Sequence, residues 1–401
     1  MQNYQRLASF QFKLQTPYNI DISPDIDRAL QNNYPEHLKD KLVQRRNQAE
    51  RLIANQKNVH YYSPAPTIQN RNPRIDAASD SVEIRRNSKF GRLIVATKDI
   101  KVGDVIVSEN SFAHIIHPES RYLHCHECLD ICFNLIPCER CNALYCSESC
   151  LERAFNDCHK YECGMAFLFH KYPQLFIRLA IKGLREHQNH GDATLDETYR
   201  SDRYKEISEL ATNENKRDFL NTCVHITIVC LCYHNLIENP HFRRDFDLDA
   251  VDDLLKKLLY HSYMIHAFNP FNIKKLKYTA LQTRSRRVGT AIYAFTSLLN
   301  HSCVPNCEFF HHGTVLVTRA IANIRKGEQC TICYGTSYSS TDIRIRQMSL
   351  KRYYLFKCDC KACAKSGHNS RVYLKADQYH RGFKKRLHKT HLKIQKKIDI
   401  G

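Results

Sequence analysis

The sequence has 401 residues, 43% of them apolar, which gives room for two or three packed units around a buried core. Its first twenty residues lack the charged start and apolar run of a signal peptide, so the nineteen cysteines are expected to stay reduced and to favour metal binding over disulfides. The formal charge is +19, and residues 365–401 carry +9 of it. We interpret this positive charge first as a solvated tail. The alternatives are contact with an acidic protein or nucleosome, and specific nucleic-acid binding.

The N-terminal part of the sequence predicts a helix, a linker and a pair of strands. Leucine and isoleucine recur at helical multiples within residues 25–55, and residues 61–73 contain three prolines and read as a linker. The short β-rich segments 93–95 and 105–107 lie on either side of a turn at residues 101–104, an arrangement that predicts a β-hairpin.

A cysteine-dense block follows between residues 125 and 163. A C-x2-C turn places two sulfur atoms on one side of a tight loop, at the separation that a tetrahedral zinc ion requires. Four pairs of ligands in so short a segment predict two complete zinc sites, and the metal would supply much of the segment's folding free energy. Cys132 and Cys158 lie outside the pattern, although Cys158 competes as a ligand beside His159. The pairs are Cys125 and Cys128, Cys138 and Cys141, Cys146 and Cys150, and His159 and Cys163.

The second half of the sequence predicts helices and then short strands. Residues 165–265 are expected to be helical, with a charged insertion near residues 185–218, and residues 288–335 return to turns and strands. The apolar run at residues 223–237 is too short and too interrupted by histidine to span a bilayer, so we interpret it as a buried helix.

Two strings and one cysteine group stand out in this half. The first string is Asn300-His301-Ser302-Cys303-Val304-Pro305-Asn306, and the second, at residues 327–335, reads GEQCTICYG. Three later cysteines, Cys358, Cys360 and Cys363, leave a tetrahedral zinc ion one ligand short.

The two strings resemble the NHSCxPN and GEELTIxYG signatures of SET-domain methyltransferases, and the three cysteines resemble the post-SET zinc cluster. The first cysteine block resembles the MYND finger. A SET domain interrupted by a MYND finger is the arrangement of the SMYD family, and the resemblance covers residues 82–363. It implies an α+β fold, in which a β-rich SET domain is split by a MYND zinc finger and carries a helical insert and a post-SET zinc cluster.

The same resemblance implies a division of the chain. Residues 29–45 resemble the link between the leading TPR repeats and the SET domain in one branch of the family. The repeats themselves and the family's C-terminal helical repeats are missing here, which we interpret as a short isoform, a truncated gene model or a lineage-specific form. The segments are an N-terminal helical extension and linker (1–80), the SET N-terminal part (81–120), the MYND finger (121–165), the helical SET insert (166–265), the core SET (266–340), the post-SET (341–366) and a basic tail (367–401).

The resemblance also implies how the metal ligands are shared among three zinc ions per chain. In MYND fingers the pairs interleave, whereas spacing alone leaves the interleaving open. Correcting the charge for eleven thiolates and three zinc ions leaves about +14. The implied sets are Cys125, Cys128, Cys146 and Cys150; Cys138, Cys141, His159 and Cys163; and Cys303, Cys358, Cys360 and Cys363.

Lysine methylation by this family is an in-line displacement at the sulfonium methyl of S-adenosyl-L-methionine. The attacking amine must be neutral, and an apolar channel and the positive cofactor both lower its pKa. By resemblance, Tyr334 faces the transferring methyl, while Tyr354 and Phe271 are further walls of the lysine channel; ordinary core packing is the alternative for each. The implied cofactor contacts are Gly91, Arg92, Asn269, Ser297, Leu299, Asn300, His301, Tyr334 and Phe356.

One position departs from the family's pattern. The G-x-G loop of SET domains lets the backbone approach the cofactor because glycine lacks Cβ. Here Gly91 is kept, but Leu93 stands where the second glycine normally falls. We expect Leu93 to turn into the core, because it starts an apolar run whose alternation buries one face. The alternative is a backbone held away from the cofactor, which would leave a weak site.

The predicted function is therefore S-adenosylmethionine-dependent protein-lysine N-methyltransferase. The first alternative is a non-catalytic adaptor whose MYND finger binds proline-containing peptides and recruits corepressors or histone deacetylases. The second is a nucleic-acid-binding zinc protein, which is disfavoured because no aromatic-and-basic stacking platform is evident. Residues 384–386 are a weak nuclear signal, so the expected location is the cytoplasm or the nucleus, and no membrane partner is expected.

Overall fold

The computed structural model describes residues 30, 35–55, 65–132, 135–165, 173–190, 197–216, 219–276 and 285–364. The described α-helices are α1 (Glu36–Asn55), α2 (Glu148–Ala154), α3 (Lys160–Glu162), α4 (Pro173–His190), α5 (Tyr204–Ser208), α6 (Phe219–Ile237), α7 (Pro240–Asp245), α8 (Leu248–Phe268), α9 (Ile343–Tyr354) and α10 (Lys361–Ala364). The described strands are β1 (Arg71–Asn72), β2 (Ile75–Ser79), β3 (Val82–Asn87), β4 (Gly91–Ala96), β5 (Val105–Asn110), β6 (Ala113–Ile116), β7 (Ile136–Pro137), β8 (Leu144–Tyr145), β9 (Phe271–Leu276), β10 (Ser285–Ile292), β11 (Asn300–His301), β12 (Cys307–His312), β13 (Val315–Ala320) and β14 (Thr331–Ile332).

The largest sheet has five strands in the order β1-β2-β5-β13-β12. Strand β5 pairs antiparallel with β13 and touches β2 through Ala78 and Val107. Both of these residues are fully buried, because the inner face of the sheet packs on the main hydrophobic core. The sheet therefore joins segments that lie more than two hundred residues apart in the sequence.

The predicted hairpin between residues 93–95 and 105–107 is wrong. The turn at residues 101–104 is present, and the Lys101 backbone N–H donates to the Asp104 carboxylate at 2.8 Å. Strand β4, however, pairs with β3, and β5 pairs with β13. Ile100, which is buried between the two segments, forms a β-bridge with Ile324. This bridge directs the connecting chain away from β4. The β-rich composition of the two segments identified both strands, but it carries no information about their partners.

The first eighty residues contain more regular structure than the predicted extension and linker. Helix α1 ends at the predicted residue, while residues 25–29 and 31–34 lie outside the described part. Strand β1 falls inside the predicted linker 61–73, of which residues 61–64 are not described. Strand β2 follows before residue 81 and belongs to the five-stranded sheet, so the sheet begins earlier than the sequence indicated.

A second, three-stranded sheet in the order β6-β10-β9 leads the chain toward the two strings. Gly289 in β10 lies opposite Ile116, and a Cβ there would collide with the carbonyl oxygen of Ile115, so only glycine fits. After β10 a short 3-10 turn, Thr296–Leu298, carries the chain into β11. Strand β11 pairs in parallel with β14, which brings the two sequence strings side by side.

Helices α4, α6 and α8 form a helical layer with its own core. The predicted buried helix at 223–237 lies in α6, but only one face of it is buried. Cys232 and Leu236 are fully buried, whereas Val224 and Leu231 are about half exposed, because α6 packs along one side on α8. No helix in the described part of the chain is both long and apolar enough to cross a membrane.

Leu93 lies in β4 opposite Arg85 and is 7% exposed. We expect Leu93→Ala to lower the free energy of unfolding by about 2–4 kcal/mol, because the truncation leaves a cavity under the strand. Val102→Ala, at a side chain that is 60% exposed, is the matched control and should change it by less than about 0.5 kcal/mol. Urea denaturation of both variants measures the difference, and equal losses would contradict the inward placement of Leu93.

Candidate active site and metal centres

The two sequence strings meet side by side. Asn300 and His301 in β11 lie opposite Thr331 and Ile332 in β14. The Asn306 side chain then links the strings a second time: its amide donates to the carbonyl of Gln329 at 2.8 Å, and its oxygen accepts from the Thr331 N–H at 2.8 Å. Residues that the sequence separates by about thirty positions are thereby fixed in one register.

Tyr334 lies at the junction of these strings. Its hydroxyl donates to the carbonyl of Leu299 at 2.8 Å, and its backbone N–H donates to His301 Nδ1 at 3.0 Å. Its ring centroid lies 4.7 Å from that of Tyr354, whose hydroxyl donates to the Tyr334 carbonyl at 3.2 Å. Burial raises the pKa of Tyr334 well above its usual value, so the phenol stays protonated at neutral pH.

His301 is a neutral imidazole in this arrangement. Burial, and secondarily the charge of Arg346, lower its pKa to about 4. Because Nδ1 accepts the Tyr334 N–H, the proton of the neutral ring sits on Nε2, which lies 3.4 Å from the sulfur of Cys303. The histidine thus fixes the backbone of Tyr334 through one nitrogen and reaches a cysteine cluster through the other.

A cavity of about 1780 Å³ opens over these residues. Its wall includes nearly all the predicted cofactor and channel residues. Leu299 is the exception: its side chain is fully buried, and it contributes a carbonyl to Tyr334 instead. Phe271 reaches the cavity but also packs edge-on against Tyr293 and Phe309, so both of its predicted roles are compatible with the geometry. The wall residues among the predictions are Gly91, Arg92, Asn269, Phe271, Ser297, Asn300, His301, Tyr334, Tyr354 and Phe356.

The conformation of the loop at Gly91 shows whether Leu93 obstructs the cavity. Gly91 has φ +66°, and no atom lies within 4 Å of where a Cβ would stand, so the backbone is open to the cavity. Arg92 follows at the wall, whereas Leu93 is buried and absent from the wall. The leucine therefore leaves the cavity unobstructed. The expected alternation is wrong, because residues 93–96 are all buried and both faces of β4 are therefore covered.

Arg92 has a partner that the sequence did not reveal. Its guanidinium donates to the Glu209 carboxylate at 2.9 Å and to the Glu209 carbonyl at 2.6 Å. Nearby, the side-chain amide of Asn269 donates to the carbonyl of Ala211 at 3.0 Å. These bonds tie the segment after α5 to the cavity rim, so two predicted cofactor contacts also hold the wall together.

Three groups of ligand atoms are assembled in the described part of the chain, with all atoms of each group within 4.8 Å of one another. Their membership is the interleaved one. The groups are Cys125, Cys128, Cys146 and Cys150; Cys138, Cys141, His159 and Cys163; and Cys303, Cys358, Cys360 and Cys363. Cys158 belongs to none of them, because its side chain points into the core of the helical layer, so the alternative in which it competes with His159 is excluded.

Sulfur separations within the groups fit a tetrahedral metal. The distance between Cys128 and Cys146 is 3.7 Å, and that between Cys303 and Cys363 is 3.5 Å. A disulfide needs about 2.05 Å, whereas sulfurs bound at about 2.3 Å to one zinc ion lie about 3.8 Å apart. Thiolate and imidazole ligands are also the set that zinc prefers, so the residues present fit the implied metal.

Arginines lie against two of the cysteine groups. Arg346, almost fully buried, donates from Nε to the Cys303 sulfur at 3.2 Å, and Arg153 donates to the Cys150 sulfur at 2.9 Å. Each guanidinium thus gives a charge-assisted hydrogen bond to a ligand sulfur. Sequence reasoning missed Arg346 because it lies in the middle of α9 with no motif around it.

Comparison with known proteins identifies a family and several relatives of this chain. The SET domain family model matches residues 91–335. Protein-lysine N-methyltransferase SMYD4 of Danio rerio is 24% identical over 84% of this chain and 57% of its own length, and SMYD4 of Homo sapiens is 24% identical over 75% and 48%. Histone-lysine N-methyltransferase SMYD3 of Homo sapiens is 28% identical over 70% and 61%. The chain thus spans about half the length of the SMYD4 relatives.

Among solved structures, the SET domain of LSMT bound to methyl-lysine and AdoHcy matches with a TM-score of 0.33 at 15% identity, over 70% of this chain and 53% of that one. Rubisco LSMT bound to AdoMet matches with a TM-score of 0.29 at 14% identity, over 64% and 49%.

Two neighbouring cysteines give a direct test of the third metal group. We expect Cys303→Ser to remove one equivalent of metal per chain, because it deletes a ligand of that group, and Cys307→Ser to leave the metal content unchanged. Cys307 is equally buried but belongs to no group. Elemental analysis of both purified variants beside the parent makes the comparison. The same metal loss in both variants would contradict the assignment of Cys303.

Proposed function

The chain belongs to the SET domain family, its relatives include SMYD4 and SMYD3 proteins, and on this basis we propose that it is an S-adenosylmethionine-dependent protein-lysine N-methyltransferase. The observation that carries the proposal is the convergence of both sequence strings on one cavity, where Asn300, His301 and Tyr334 lie together. The cavity exceeds the range of about 300–1,000 Å³ that is usual for a single small ligand, which leaves room for a cofactor and a substrate segment.

The cavity wall suits S-adenosylmethionine, which when bound supplies an electrophilic methyl group. The open backbone at Gly91 allows close approach, while the amide of Asn300 donates to the Arg92 carbonyl at 3.3 Å and fixes that loop beside β11. The Phe356 ring centroid lies 6.1 Å from that of His301, and the ring offers an apolar face to the cavity. In this proposal these residues bind and orient the cofactor.

In this proposal Tyr334 and Tyr354, whose ring centroids lie 4.7 Å apart, form one continuous aromatic wall along which the substrate lysine would lie. Because burial holds the Tyr334 phenol in its protonated form, it is not the base that deprotonates the amine. The lysine must lose its proton to water as it leaves solvent, because removal from water and the positive charge of the cofactor both lower the pKa of the amine. The task of the site is then alignment of the amine with the methyl group.

We propose that zinc fills all three ligand groups, which gives three ions per chain, and that residues 121–165 are a MYND finger. Tyr122, at 72% exposure, and Leu123 stand exposed just before the first ligand Cys125. Exposed apolar side chains beside a rigid finger favour contact with a protein, and a proline-containing peptide is the proposed ligand. The proposed location remains the cytoplasm or the nucleus.

The same exposed pair favours a second candidate function, an adaptor that recruits corepressors or histone deacetylases without catalysis. Binding of labelled S-adenosylmethionine, followed by methyl transfer to a cell extract, separates the two candidates. Cofactor binding with transfer supports the methyltransferase, and a folded, zinc-loaded protein without cofactor binding supports the adaptor.

The number of zinc ions bound per chain can be tested separately. Twelve ligands in three groups of four predict that the native mass exceeds the denatured mass by three zinc ions. Native mass spectrometry measures this difference. A difference of two ions, with Cys358, Cys360 and Cys363 open to alkylation, would refute the C-terminal site.

Tyr334→Phe tests the proposed chemistry. We expect methyl transfer to fall at least a hundredfold while the affinity for S-adenosylmethionine stays within about threefold of the parent, because the hydroxyl acts in the transition state. Tyr353→Phe is the control, since Tyr353 is 60% exposed and absent from the cavity wall. Scintillation counting and calorimetry measure the two quantities. Full activity in the Tyr334 variant would remove that residue from the mechanism.

A further inference from the structure

Glu109 in β5 is a carboxylate buried in the main core, at 1% exposure. Both of its oxygens are engaged by one short segment. Oε1 accepts the backbone N–H of Phe295 at 2.8 Å, and Oε2 accepts the backbone N–H of Thr296 at 2.8 Å and its hydroxyl at 2.6 Å. A buried charge is costly unless it is hydrogen-bonded, and these three donors offset part of that cost.

The segment that Glu109 holds leads directly into the cavity wall. The N–H groups it accepts start the turn Thr296–Leu298, whose first donors have no partner within the turn. The next residue, Leu299, gives its carbonyl to the Tyr334 hydroxyl. Asn300 follows immediately and reaches the Arg92 carbonyl. A displacement of the turn would therefore move both the proposed cofactor contacts and the proposed catalytic tyrosine.

We propose that Glu109 is a positioning residue for methyl transfer, which anchors the segment 295–301 from outside so that the cofactor contacts and the Tyr334 hydroxyl keep their geometry. The inference rests on the proposed function. Glu109 itself lies outside the cavity wall and touches no reacting group, so it acts only through the segment. Phe295, the first residue of that segment, is also packed edge-on against Tyr199, at 5.7 Å between ring centroids.

The surroundings of Glu109 favour its neutral form. Burial raises its pKa from 4.5 to about 7, the donors of Thr296 and Phe295 lower it, and Asp76 raises it further. Tyr199 and Tyr293 are the other titratable groups that interact with it, and both stay protonated. Since the pKa is higher in the folded than in the unfolded state, ionisation of Glu109 makes folding less favourable as the pH rises from about 4.5 to 7. The carboxylate anchor is thus maintained at a cost in stability.

Substitution of Glu109 separates positioning from mere stabilisation in an experiment. Glu109→Gln keeps the shape but replaces one acceptor oxygen by an amide N–H₂, which cannot accept a backbone N–H. At pH 8 we expect its affinity for S-adenosylmethionine to fall at least fivefold, because the segment that starts at Phe295 loses one of its hydrogen bonds. Amide hydrogen exchange of residues 293–301, followed by mass spectrometry, should become at least tenfold faster.

A second pair of variants keeps the test valid if Glu109→Gln folds poorly. Thr296→Val removes only the hydroxyl donor to Glu109, and should weaken cofactor binding two- to fivefold and speed exchange in the same segment. Thr318→Val on β13 is the matched control. Its hydroxyl is equally buried and has no hydrogen-bond partner in the described part of the chain, so neither readout should change.

The two proposals fail in different ways. A parent protein that binds no S-adenosylmethionine would refute the proposed function and with it a role of Glu109 in methyl transfer. Unchanged exchange of residues 293–301 in both the Glu109 and Thr296 variants would refute the anchor itself, whatever the parent binds. Faster exchange together with unchanged affinity and turnover would also overturn the inference, because the anchor would then be purely structural.

Discussion

The sulfur of Cys303 lies between the floor of the cavity and the C-terminal cysteine group, and the cavity depends on the contact between these two parts of the chain. The residue follows β11, whose side chains form the cavity floor, and its sulfur lies 3.5 Å from Cys363 and 3.9 Å from Cys358. A metal at this group ties the C-terminal segment, which contributes Phe356, onto that floor. Since the free energy of metal binding would also be folding free energy, a metal ion in this group would stabilise the part of the cavity wall that contains Phe356. Arg346 strengthens the link, because its buried guanidinium lies against the same sulfur.

A second long-range interaction fixes the finger to the rest of the chain. Glu162, just before the last ligand Cys163, accepts two hydrogen bonds from the Arg178 guanidinium at 2.8 and 2.9 Å, and Arg178 also donates to the carbonyl of His114 in β6. The pair is buried, so losing either partner would leave an uncompensated charge in the core. The finger is therefore held against helix α4 and the three-stranded sheet, and a peptide bound to it would meet a surface of fixed orientation.

What the sequence predicted well was local. Ligand pairs close in sequence defined the metal sites, and two short strings located the cavity floor, because in both cases the chemistry lies within a few residues. What it missed were partners distant in sequence. A β-rich composition identified β4 and β5, but the turn between them suggested the wrong pairing. Nothing near Arg92 points to Glu209, 117 residues away. Glu109 was missed for the same reason, since a single acidic residue in an apolar strand shows its role only when Thr296 lies beside it.

These long-range contacts bear on the choice between an enzyme and an inert scaffold. A disabled pocket would be expected to show a side chain blocking the loop at Gly91, yet Leu93 packs inward and the loop stays open. An apolar side chain at Glu109 would leave the N–H groups of Phe295 and Thr296 and the Thr296 hydroxyl without their acceptor, so the carboxyl group is needed to hold this segment. The adaptor accounts for the finger and its exposed side chains, but the methyltransferase accounts for the finger, the open loop and the buried anchor together.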